Sequence, residues 1–211
     1  MSDRLRALVE PAHTAVVTME LQQGIVGSGA AMGDLVAVVA SEGLLPRVGR
    51  LCTAARTAGV RVVHCTAEFR ADGAGSVVNN RIFAMNARMR RERGATAIDA
   101  GQPGTALVPE LGWSDADIKV PRMHGMTPFT GTELDPILRN LGVTTVVATG
   151  VSVNLGVLGM CLSALDLGYQ IVLPVDAVVG VPMDYAQAVI DHSLSLVTTL
   201  TTVDELVGMW Q

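Results

Sequence analysis

Apolar positions run along the chain in two alternating rhythms. Short, mostly β-branched runs read as buried strands, and longer stretches with apolar residues three and four apart read as helices. Thr14 to Glu20 (TAVVTME) is a strand that ends on an acid. Leu45 to Ala58 has helical spacing and stops at Gly59, the residue expected just past a helix end. Arg61 to Thr66 (RVVHCT) is the next strand, Glu68 to Val78 a loop, and Arg81 to Arg93 a helix. Asp117 to Val120 (DIKV) is a short strand, followed by a loop through Pro121, Gly125 and Pro128. Thr132 to Leu141 is a helix with Thr130 or Thr132 as its cap. Val143 to Thr149, Asn154 to Leu167, Gln170 to Asp176 and Met183 to Leu196 then alternate strand and helix. Leu200 to Val203 reads as a last edge strand and Asp204 to Trp210 as a closing helix.

Such alternation calls for right-handed βαβ units, an α/β fold with helices on both faces of a mainly parallel sheet. In doubly wound sheets ligands bind beyond the carboxyl ends of the strands, where the strand order reverses. That rule selects Glu20 and Gln22, His64 to Arg70, Lys119, and Gly150 to Gly156.

At 211 residues the chain is expected to form a single domain, 1–211. Hydrophobic residues make up 49% and aromatics only 3%, so the core is aliphatic, as in a buried parallel sheet. A net charge of −5 argues against a nucleic-acid partner. Arg88, Arg90, Arg91 and Arg93 form a basic cluster that reads as a solvated or subunit-contacting helix face. Cys52, Cys65 and Cys161 lie in apolar segments without zinc spacing and read as reduced core thiols. The N-terminus carries no apolar stretch of signal length, which predicts a cytoplasmic protein. Asn140 to Leu165 lacks any charge, but its internal order is strand, turn and helix, so no membrane span is expected.

Glu20 closes an apolar strand, where a carboxylate needs a partner, and Lys119, between Ile118 and Val120, is the candidate cation. In TGVSVNLGV, Thr149 to Val157, Gly150 permits a sharp turn and Asn154 can cap a helix. Gly156 then falls in the first turn, where free backbone N–H groups attract an anion or oxyanion. The spacing is neither a dinucleotide fingerprint nor a P-loop.

AVVTMELQQG resembles the first-strand motif of isochorismatase-like cysteine hydrolases, with Glu20 in place of their usual Asp and Gln22 at their Gln. IKVPRMHGMTPFTGTELDPILRNLGVTTVVATGVSVNLGV is similar to their lysine strand, SAFxGTxL segment and nucleophile turn, and ALDLGYQIVLPVDAV to the stretch that follows. The resemblance implies a Rossmann-like, doubly wound, six-stranded sheet. It also implies an Asp, Lys, Cys triad carried here by Glu20, Lys119 and Gly156, and an oxyanion hole from the N–H groups of Ser152 and Gly156. A cis peptide would lie between Val151 and Ser152. Family members are commonly dimers or tetramers, so a homodimer or homotetramer is expected.

Gly156 closes the covalent cysteine route at that position. Cys161 is ~7.5 Å further along the same helix and should point elsewhere. The expected activity is therefore hydrolysis of a small molecule, a vinyl ether, amide or ester, by a Glu20 and Lys119 pair. Glu20 would serve either as an acid to an enol carbon or as a base on water. The alternative is a catalytically silent member that binds a ligand or partner in the same pocket. Gln22, Phe69, Arg70, His124, Phe129 and Ser152 are the expected substrate contacts. No cofactor is expected, and no metal, because His64, His124 and His192 lack ligand spacing and the DxHxxH pattern of nicotinamidase relatives is missing.

Overall fold

A computed structural model of the protein describes residues 3–211. The strands are β1 (Thr14–Met19), β2 (Arg61–Ala67), β3 (Ile118–Arg122), β4 (Thr145–Val151), β5 (Gln170–Pro174), β6 (Val178–Val179) and β7 (Thr199–Thr201). All pair in parallel, in the order β3-β2-β1-β4-β5-β7, while the two-residue β6 runs beside the end of β4. The expected six-stranded sheet is therefore this path, with a seventh short strand added.

Alternate side chains of each strand enter one of two cores, as a parallel sheet covered on both faces requires. Val16, Val62, Val147 and Val172 pack with α1 (Asp3–Leu8), α2 (Gln23–Val26), α3 (Gly33–Ser41), α4 (Leu44–Thr57) and the closing helix. Val17, Val63, Val120, Val146 and Ile171 pack with the helices that cover the opposite face. Those are α6 (Leu134–Asn140), α7 (Leu158–Asp166) and α8 (Met183–Val189). The closing helix, Val203–Trp210, is capped by the Thr202 hydroxyl, which accepts from the Glu205 N–H, and its indole donates to the Val9 carbonyl at 2.9 Å. The helix expected at Arg81–Arg93 has those bounds, begins at an Asn80 cap and ends at Gly94 in the left-handed region. Among the described residues no helix is long and apolar enough to cross a membrane.

Two expectations change. β3 does not stop at Val120 but runs through Pro121 to Arg122, with Pro121 opposite Thr66. An edge strand tolerates a proline because the missing N–H costs no ladder bond on its open side, and β3 is such an edge. Asn154 does not cap a helix. It lies inside a wide π-type turn, Val153–Val157, that leads into α7, and its amide donates to the Val181 carbonyl at 3.1 Å.

Candidate active site

The strand order reverses between β1 and β4, and a cavity of about 130 Å³ opens at their carboxyl ends. Glu20 follows β1 with φ 55°, the one left-handed non-glycine among the described residues. Its N–H donates to the Cys65 carbonyl at 2.8 Å and its carbonyl accepts from the Gln22 N–H at 2.9 Å. This conformation costs a non-glycine residue about 1–2 kcal/mol and is the sort of local strain that gathers at functional sites.

The cation beside Glu20 is Arg122. Its Nη2 donates to Glu20 Oε1 at 2.5 Å, and its Nε donates to the Gly125 carbonyl at 2.9 Å. The two side chains are 3% and 17% exposed, Arg122 the more buried, and both line the cavity. Arg122 Nη1 is buried with no hydrogen-bond partner.

The expected pairing of Glu20 with Lys119 is corrected by this arrangement. In register, Lys119 lies opposite His64, which lies opposite Thr18, so it sits two residues short of Glu20, about 6–7 Å along the strand. Being three residues from Arg122, it also projects from the opposite face. There Lys119 Nζ pairs with Glu68 Oε1 at 2.5 Å and donates to the Thr105 carbonyl at 3.1 Å. Lys119 is not among the residues lining the cavity. Arg122 is hidden in the sequence because Pro121 reads as the end of the strand.

At the end of β4 the chain crosses Gly150, where an added Cβ would lie 2.3 Å from the Met19 carbonyl oxygen, so β1 and β4 approach too closely for any side chain. The Val151–Ser152 peptide is cis. Ser152 and Gly156 both line the cavity. A Cβ on Gly156 would meet the methyl end of Met19 at 2.9 Å. No thiol lines the cavity. Cys161 and Cys65 are buried, and burial pushes each thiol up to about 12, for Cys65 against the opposing pull of Arg122.

Of the other expected contacts, Phe69 lines the cavity. Gln22 does not, because its amide is consumed by the frame: Nε2 donates to the Ala67 and Gly104 carbonyls, and Oε1 accepts from the Ala67 N–H at 2.7 Å. Arg70 is exposed and held by Asp72. His124 lies against Gly131 and borders a neighbouring hollow with Phe69. Phe129 is buried beside Tyr169, ring centroids 5.8 Å apart. These four sit where frame hydrogen bonds, solvent or core packing already employ them, away from the cavity lining.

The outer wall is α5 (Arg81–Arg93), which has no buried residue and turns Ile82, Phe83, Met85 and Met89 toward the cavity. Arg90 fastens it by pairing with the buried Asp99, which also accepts from the Thr96 N–H at 2.8 Å and hydroxyl at 2.7 Å. Arg90 is thus an anchor, whereas Arg88 pairs with Glu92 at the surface.

A second polar group sits inside the sheet. Thr18 Oγ1 and His64 Nδ1 are 2.8 Å apart, His64 Nε2 lies 3.4 Å from Asp117 Oδ2, and Arg56 grips Asp117 with Nε and Nη2. It has the residue types of a hydrolytic triad, but Thr18 and His64 are fully buried and neither lines the cavity. Burial lowers the His64 pKa to about 4 against the pull of Asp117, so the ring is held neutral. This group ties β1, β2 and the approach to β3 together. Among the described residues no three His, Cys, Asp or Glu side chains are arranged to hold a metal.

The profile of the isochorismatase domain matches residues 14–205. The chain is 29% identical over 186 residues to the isochorismatase family protein YecD of Escherichia coli, covering 82% of this chain and 94% of that protein. It is 28% identical over 186 residues to the ureidoacrylate amidohydrolase RutB of Pseudomonas savastanoi, covering 85% of this chain and 76% of that enzyme. Among solved structures, a cysteine hydrolase from Pseudomonas syringae superposes with a TM-score of 0.81 at 19% identity, over 96% of this chain and 94% of that one. The N-carbamoylsarcosine amidase of Thermoplasma acidophilum gives 0.68 at 20% identity, over 91% and 97%. At these identities the structural likeness speaks for the fold.

Proposed function

The chain belongs to the isochorismatase family, a hydrolase family, and from that premise we propose that it hydrolyses an amide or ester of a small organic molecule without a covalent thiol intermediate. Glu20 transfers the protons and Arg122 is its fixed partner. The observation that carries this reading is the Glu20 to Arg122 pair in the cavity lining, which also includes Ser152 and Gly156 and, among the described residues, no cysteine. The amidohydrolase among the relatives favours carbonyl chemistry over a vinyl ether.

Arginine stays protonated throughout, so it cannot carry the proton, and that duty falls to Glu20. The Glu20 carboxylate accepts a proton as water adds to the carbonyl carbon. The oxygen of the resulting tetrahedral species takes its charge against the backbone N–H groups of Ser152 and Gly156, where the start of the turn into α7 favours an anion. The C–N or C–O bond then breaks, the leaving group receives the proton from Glu20, and an acid and an amine or alcohol depart. Gly156 stands where cysteine members carry their nucleophile, and offers its backbone alone.

The test is a panel of small amides, esters and enol ethers, with intact-mass spectra recorded during turnover. Hydrolysis with no mass added to the protein is expected. An acyl adduct on a cysteine overturns the noncovalent route, and binding without turnover of any panel member favours a silent binding protein.

A further inference from the structure

The cavity that holds Glu20 and Arg122 has a lining of unusual charge economy, and this bears on what enters it. Among the described residues those two are its only charged groups, and they neutralise each other at 2.5 Å. The remaining lining is polar only at Asn86, Thr96 and Ser152. Its body is apolar and soft, with Met32, Met85, Met89 and Met126 around Phe83 and Ile98. Thioethers adapt to irregular apolar shapes. Arg122 has committed Nη2 to Glu20 and Nε to Gly125, and its Nη1 is buried, so the pair offers the cavity no free cation.

From this we infer that the cavity selects an uncharged carbonyl compound with an apolar body about the size of one benzene ring. A carboxylate is excluded by desolvation: it would shed its water in an apolar chamber whose single cation is already neutralised by Glu20. The size follows from the volume. About 130 Å³ is close to the roughly 150 Å³ apolar cavity that admits benzene. The inference rests on the hydrolytic reading for the ligand's fate, and it has a consequence there. Hydrolysis turns a neutral amide or ester into an anion that the same chamber rejects, so the acid product leaves readily.

Binding isotherms with benzamide and benzoate, and with hexanamide and hexanoate, test the charge preference without requiring turnover. The amide of each pair should bind at least tenfold more tightly. Met89→Lys places a cation in the wall on a helix with no buried residue, and should shrink or reverse that ratio while leaving the melting temperature unchanged. Equal or tighter binding of the acids, or no binding of any of the four, overturns the inference. Preference for the amides without their hydrolysis leaves it standing and counts against the proposed activity, whereas hydrolysis of acidic amides at the same efficiency does the reverse.

Discussion

At the scale of single residues the site turns on which cation reaches Glu20. Lys119 and Arg122 share a strand and differ by three positions, and strand geometry alone puts them on opposite faces. Their substitutions should therefore differ in kind. Arg122→Met leaves the Glu20 carboxylate without its cation in a largely buried setting and should destabilise the fold by about 3 kcal/mol in urea titrations. Lys119→Met removes a partly exposed pair with Glu68 and should cost under about 1 kcal/mol in the same titrations. Glu20, Phe69 and Ser152 reach the cavity lining from just beyond readable strands, whereas Gly156 was legible through the helix start and the family resemblance. Arg122 was hidden behind Pro121, whose meaning depends on whether its strand is an edge, and no local pattern carries that fact. Gln22, Arg70, His124 and Phe129 were drawn in by position near the same edge. Gln22 and Phe129 are held from the cavity by long-range contacts, with Ala67 and Tyr169, while Arg70 is held by the nearby Asp72 and His124 lies against the nearby Gly131.

At the scale of elements, β1, β2, β4 and α4 announced themselves by period and by glycine stops, since they are buried on the faces that set those periods. α3 and α1 went unread because their apolar faces are narrow, with Leu35 and Val39 buried in the first and Leu5 in the second. α4 supplies a sharp test of packing. Gly49 lies mid-helix, where alanine ordinarily stabilises by about 1 kcal/mol. Here a Cβ would fall 2.1 Å from the Glu110 carbonyl oxygen, a backbone atom that cannot step aside. Gly49→Ala should accordingly lower the melting temperature, where an unhindered helix would show a rise.

At the scale of the whole molecule, the sealed His64 group couples stability to pH. The His64 pKa falls from 6.5 to about 4 on folding, because burial disfavours the charged ring. The unfolded chain then binds more protons between those values, so stability is full above pH 6.5 and declines as pH falls toward 4. Denaturant titrations at pH 7 and pH 5 should differ by about 2 kcal/mol from this residue alone, and His64→Asn should remove that share of the slope. Assembly is a proposal at the same scale: Leu165 and Leu196 are exposed and border one hollow near the C-terminal helices, which fits a homodimer or homotetramer. Sedimentation equilibrium should give a multiple of 22.1 kDa, and loss of association in Leu196→Lys would place the contact.

The proposed activity assigns the proton transfers to Glu20, held by Arg122. The direct measurement is kcat/KM of Glu20→Gln and Lys119→Met on the best substrate of the panel, each compared with the parent chain. Glu20→Gln keeps a hydrogen-bond acceptor for Arg122 but cannot take the proton, and should lose about a hundredfold or more, while Lys119→Met stays within about threefold. Activity retained in Glu20→Gln, or lost equally in Lys119→Met, would contradict the account.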